Sequence, residues 1–188
     1  MKKDLKHIAT IQTGLFAKPI AKGDIVYLQS KHFDENGMLL STLYPDLLHE
    51  GISDKHLLRN EDVLFAAKGT KNFAAWIESK NQPSVASTSF FVIRLQQDFS
   101  NKILPEFLVW IINHPTSQQF LKGKAIGSSI VSISKSVLEE LEISIPNIET
   151  QKVILKITNL RNSEKNLKQK IDSLRDKQIQ QQIFNTIK

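Results

Sequence analysis

Between Pro146 and Lys188 the chain carries neither Gly nor Pro, and this uninterrupted stretch constrains the fold more than any other feature. Pro146 closes an apolar run, Thr150 stands at an N-cap position, and everything after it suits one helix. At about 1.5 Å per residue that helix reaches roughly 57 Å, far beyond an ordinary globular helix. Steps of four and three from Val153 give Ile157, Leu160, Glu164, Leu167, Ile171, Leu174, Gln178 and Gln181. This is heptad spacing interrupted at Glu164 and Gln178. The expectation is a coiled-coil seam of Val153, Ile157, Leu160, Leu167, Ile171 and Leu174 that pairs with another long helix. A helix packed on its own domain is the plainer alternative. Past Leu174 the apolar residues move to Ile179, Ile183 and Ile187, which points to a stutter or a different packing partner.

The remainder of the 188 residues is long enough for one globular domain with a proper core and no second one. The boundaries read as 1–147 for that domain and 148–188 for the spacer and dimerisation helix. There is no cysteine, which excludes disulfides, iron–sulfur clusters and thiolate zinc sites and suits a reducing compartment. Lys2 and Lys3 are not followed by a signal-peptide core, and the longest apolar run, Phe107 to Ile112, is far too short to span a bilayer. A soluble, cytoplasmic protein with no membrane partner is expected.

The net charge of +6 is unevenly placed. Residues 151–188 hold nine Lys/Arg against three Asp/Glu, and residues 1–150 hold sixteen against sixteen. A long helix carrying the whole excess favours an anionic partner, nucleic acid or an acidic protein surface, unless the charge is only a solvated face.

Along the first domain, short strands are predicted at His7–Thr13, Asp24–Leu28, Met38–Leu40, Asp62–Ala67, Ala74–Ile77, Val85–Leu95 and Glu142–Pro146. Asn36-Gly37 marks a turn. Pro105 opens a helix whose Phe107, Leu108, Ile111 and Ile112 share a face, with Trp110 read as core. His114-Pro115 breaks it, Thr116 or Ser117 caps a second helix to Leu121, and Ser136 caps a third. Strands and helices without β-α-β alternation give an α+β class: a globular mixed strand and helix domain followed by one long C-terminal coiled-coil helix.

Three loops stand out chemically: Lys68-Gly69-Thr70-Lys71-Asn72, Lys80-Asn81-Gln82, and Lys122-Gly123-Lys124 running on to Ser128-Ser129. Lys suits phosphate, and Asn and Gln suit the edge of adenine. Enzymatic patterns are weak by comparison. Pro45-Asp46 with Glu78-Ser79-Lys80 imitates a metal-dependent nuclease, a distant third reading, yet both pieces fall on loops or turns. Asn113-His114-Pro115-Thr116 lacks the second Pro and the aromatic of an amino methyltransferase motif, and no glycine-rich cofactor turn accompanies it. No catalytic or metal site is assigned.

The order of segments resembles the specificity subunits of type I restriction–modification systems, at the scale of half a subunit. The residues that carry the resemblance are Ile11-Gln12-Thr13-Gly14, Gly23-Asp24-Ile25-Val26-Tyr27-Leu28 and Leu58-Arg59-Asn60-Glu61-Asp62-Val63-Leu64-Phe65. They continue with Ala86-Ser87-Thr88-Ser89-Phe90, Val92-Ile93-Arg94, and Ile133 through Leu138 to Leu141-Glu142-Ile143-Ser144-Ile145-Pro146, with Gln151 opening the helix. The family usually has Gly where this chain has Glu61, which bears on the turn before the strand. The resemblance implies a non-catalytic, cofactor-free subunit that reads double-stranded DNA. Modification subunits that bind S-adenosylmethionine would supply the chemistry, and a restriction subunit is left open as a further partner. It also implies two recognition domains held by two antiparallel helices, so a homodimer reading an interrupted palindrome is expected; half of a longer subunit and a pair with a different half remain open. The helix matches on the order of one and a half turns of duplex. DNA contact is expected from Lys68, Lys71, Asn72, Lys80, Asn81, Gln82, Lys122, Lys124, Ser128 and Ser129. The rival reading is a coiled-coil interaction module that does not bind DNA, favoured by the zero net charge of residues 1–150.

Overall fold

The structure, a computed structural model, describes residues 1–34, 37–69, 71–76, 83–125 and 132–187. The elements run β1 (Lys2–Asp4), β2 (Ala9–Thr13), β3 (Val26–Leu28), β4 (Val63–Ala66), β5 (Ala74–Trp76), β6 (Ser84–Ala86) and β7 (Phe90–Leu95). There follow α1 (Gln97–Ser100), α2 (Pro105–Asn113), α3 (Pro115–Gly123), α4 (Lys135–Glu139), β8 (Glu142–Ser144) and α5 (Ile148–Ile187). The α+β class expected from the sequence is the class found. Two compact units divide the chain, Met1–Ile148 and Glu149–Lys188.

The first unit is built on a four-stranded antiparallel sheet in the order β2-β7-β4-β5. Its central strand β4 is buried throughout, and α2 packs on β4 and β5. Alternation along β4 and β7 turns Leu64, Ala66, Phe90 and Val92 into one cluster with Phe33 and Phe73. The three rings meet in tilted and edge-to-face geometries, Phe33 at 5.5 Å and Phe73 at 6.2 Å from Phe90.

Val85–Leu95, expected as one strand, is broken at Ser87-Thr88-Ser89. Its first part, β6, pairs in parallel with β3, and its second, β7, pairs with β2 and β4. The corner is closed by the Phe90 amide donating to the Ser87 carbonyl at 2.9 Å, with the hydroxyls of Ser87 and Ser89 2.6 Å apart. Gly14 lies against this corner: a Cβ there would stand 2.1 Å from the Ser87 carbonyl oxygen, so only glycine fits. Met38–Leu40 is not a strand; Leu39 makes one bridge to Phe33 while Met38 and Leu40 are exposed. β1 was not legible in the polar Lys2-Lys3-Asp4. It pairs antiparallel with β8 and so ties the start of this unit to its end. The caps also differ from expectation. His114 caps α3, its Nδ1 accepting from the Thr116 amide, and Ser134 rather than Ser136 caps α4.

Asp62 precedes β4 and is almost wholly buried. It takes two hydrogen bonds from Arg94 of β7, at 2.7 and 2.6 Å, and one from the Arg59 amide at 2.8 Å. A bidentate pair so enclosed makes loss of either partner costly, about 3 kcal/mol or more, because the survivor keeps its burial without its counter-charge. The turn that delivers Asp62 holds Glu61 at φ 76°, the left-handed region. The turn expected of glycine is therefore kept, with the strain of a side chain in it.

α5 runs forty residues, about 60 Å, and begins at Ile148, so Thr150 lies inside its first turn rather than capping it. Within it Gln151 is buried, while Val153, Ile157, Leu160, Leu167, Ile171 and Leu174 are 48–62% exposed. No helix among the described residues is long and apolar enough to cross a membrane.

Glu61→Gly is expected to relieve the left-handed strain and raise stability by about 1 kcal/mol, read by thermal unfolding as a rise of about 2–4 °C. An unchanged or lower midpoint would show that the Glu61 side chain compensates.

Candidate nucleic-acid interface

β4 and β5 form a hairpin, and the loop between them carries Lys68, Lys71 and Asn72. The hairpin closes through the Ala66 amide donating to the Phe73 carbonyl at 2.8 Å. Gly69 occupies φ 121°, a conformation that side-chain-bearing residues rarely adopt. Asn72 departs from the expectation of a base reader: it is buried, and its Nδ2 donates to the Ala66 carbonyl at 3.0 Å. Its amide fastens the loop from inside. Lys68 and Lys71 remain exposed on the outside.

Beyond the predicted loop that begins at Lys122, the chain pairs with the hairpin. Lys68 makes an antiparallel bridge to Ser132, and the Ile133 amide donates to the Ala67 carbonyl at 2.9 Å. Lys122 is exposed in the last turn of α3, where a cation also suits the helix dipole. Lys124 lies 2.7 Å from Glu140 and 4.6 Å over the Phe120 ring. The hydrogen bond from Lys124 holds the Glu140 carboxyl below its ordinary range. Both partners are half exposed, so this ion pair is weak and exchangeable for another anion. Ser128 and Ser129 lie outside the described residues, as do Lys80, Asn81 and Gln82. β5 leads away from the hairpin loop, with Trp76 paired to Val63 at the far end.

One positioning residue carried no legible signal. Asn113, the last residue of α2, accepts from the Ala74 amide at 2.7 Å and donates to the Ala74 carbonyl at 2.8 Å. Its carboxamide imitates a neighbouring strand at the outer edge of the sheet and fixes β5 next to the loop. In the sequence this residue belongs only to a defective methyltransferase motif. The nuclease reading loses its first element: Asp46 accepts from the Tyr27 amide at 2.8 Å and braces β3, and Glu78 and Lys80 lie outside the described residues. Among the described residues no group of three or more His, Asp or Glu is placed to hold a metal ion.

The family model described as type I restriction modification DNA specificity domain matches residues 2–175, which takes in the first unit and most of α5. No curated relative matches the chain. Among solved structures, a type I restriction-modification system S subunit from M. genitalium is similar at TM-score 0.58 and 16% identity, over 87% of this chain and 39% of that one. The HsdS subunit from Thermoanaerobacter tengcongensis is similar at TM-score 0.62 and 18% identity, over 89% and 43%. A chain from a study of complex assembly and conformational transition of the type I R-M system is similar at TM-score 0.65 and 18% identity, over 90% and 44%. This chain thus spans less than half the length of each.

Asn113→Ala removes both bonds to Ala74 and leaves a strand edge unmatched. A loss of about 1–3 kcal/mol is expected in chemical denaturation, with Asn113→Asp retaining part of it through the surviving acceptor. Equal stability of Asn113→Ala and the parent would rule out the clamp.

Proposed function

Because the chain belongs to the type I restriction modification DNA specificity domain family, we propose that it is a non-catalytic, cofactor-free specificity component that recognises double-stranded DNA. The observation that carries this is the extent of the family match, residues 2–175, which takes in the first unit and most of α5. The reading as an interaction module indifferent to DNA is not favoured by that match.

Each first unit reads one short half-site. Lys68 and Lys71 anchor phosphates from the hairpin loop, joined by Lys122 and Lys124, and Gln82, Asn81, Ser128 and Ser129 are the candidates for base edges. Lys80 stands with the anchoring group. Asn72 acts on the backbone, so its replacement weakens all sequences alike. α5 pairs through its apolar stripe with a second long helix and so fixes the gap between two half-sites. A second copy of this chain is one source of that helix, giving an interrupted palindrome, and a counterpart chain is another, giving two unlike half-sites. Modification subunits that carry S-adenosylmethionine dock on this assembly and supply methylation, acting on a base turned out of the duplex. A restriction subunit is a further candidate partner, and the setting is cytoplasmic DNA.

The test is affinity for mixed duplex DNA across a salt series. The parent is expected to bind with a steep salt dependence. Lys68→Ala with Lys71→Ala is expected to weaken every duplex similarly and to flatten the slope by about one for each phosphate no longer neutralised. Gln82→Ala is expected to shift sequence preference at unchanged slope. A salt slope identical in parent and lysine variants would sink the assignment of the hairpin loop.

A further inference from the structure

With Leu160, Leu167 and Leu174 at heptad position d and Ile157 and Ile171 at a, the positions bordering the seam of α5 are fixed. On the e side stand Arg161, Lys168 and Arg175. On the g side stand Lys156, Lys170 and Lys177, with Ser163 between them. From Lys156 to Lys177, every charged residue bordering the seam is basic. The acids fall elsewhere: Asp172 at b, Asp176 at f, and Glu164 inside the seam at a. Glu164 is held by Lys168 of its own helix at 2.7 Å, one turn on. The seam's aliphatic side chains are half exposed.

We infer that α5 is built to pair with a helix other than its own copy, one whose apolar seam is bordered by Glu or Asp. The inference rests on the reading of α5 as a pairing helix and names the partner. In a parallel pair e faces g of the partner, and in an antiparallel pair e faces e and g faces g. This chain against itself sets cation against cation in both. The antiparallel alignment that stacks Ile157 on Leu174 and Leu160 on Ile171, for instance, brings Lys156 to Lys177 and Arg161 to Lys168. Like charges in such pairs disfavour association and opposite charges favour it, the means by which helices choose partners. Duplex DNA would neutralise the borders but leave the aliphatic stripe in water. An acid-bordered helix satisfies both.

The test uses the full chain and, as probe, a copy with Lys156→Glu, Arg161→Glu, Lys168→Glu, Lys170→Glu, Arg175→Glu and Lys177→Glu, which keeps the seam and reverses its borders. A second probe reverses only the g side, and circular dichroism confirms helicity of each. By sedimentation equilibrium at low micromolar concentration, the parent alone is expected to be monomeric. Parent with the fully reversed probe is expected to form a 1:1 complex, at least about tenfold tighter than the parent's self-association, weakened by salt and abolished by Leu167→Lys with Leu174→Lys; parent with the second probe, half of whose borders still set like charges together, is expected to bind more weakly than that and more tightly than parent with itself. A parent that dimerises as tightly as it binds the probes overturns the inference. So does the absence of a complex with both probes, including the case in which border reversal instead abolishes duplex binding. Duplex binding by the parent, measured alongside, reports separately on DNA recognition: its loss would sink the proposed function and leave the helix result standing.

Discussion

The enclosed pair between Asp62 and Arg94 is the interaction on which the first unit depends. It joins the turn before β4 to the middle strand β7, and so sets the register of the sheet from which the hairpin loop projects. Asn72 then fastens the loop to Ala66, and Asn113 holds β5 at the outer edge. Four polar side chains, each spent on its own protein, thereby place Lys68 and Lys71 at the surface. A recognition loop needs that division of labour, because groups that meet phosphate can be positioned only by groups that do not.

This division also bears on how residues 1–150, with no net charge, would meet the anionic partner proposed for them. Their sixteen cations and sixteen anions are not interspersed evenly. Lys68 and Lys71 stand exposed on the hairpin loop, while Asp62 is buried against Arg94 and Asp46 is occupied by the Tyr27 amide. Field at a loop cluster, rather than net charge, decides local attraction.

Much of this was legible in the sequence where physical signals are local and periodic. The heptad run from Val153 to Leu174, the Pro105 helix start and the buried-type strand at Val63 each arise from one spacing or one residue type. What was not legible depends on neighbours distant in sequence. The break at Ser87 exists because β6 and β7 have different neighbours, Asn113 matters only because Ala74 lies beside it, and Asn72 looks like a base reader until its carbonyl partner is known. At Glu61 the departure from glycine changed the strain and not the turn. In the site, the basic loops were visible as compositions, but the pairing of Lys68 with Ser132 lies far beyond any local pattern's reach.

Whether the loop end of the first unit meets DNA is tested most directly by hydrogen exchange on the full chain with and without a mixed-sequence duplex. The expected result is slowed exchange at residues 66–73 and 122–125 in the bound state, with the stretch at 38–48 unchanged. Slowing confined to 38–48, with the hairpin loop exchanging as in the free protein, would contradict it.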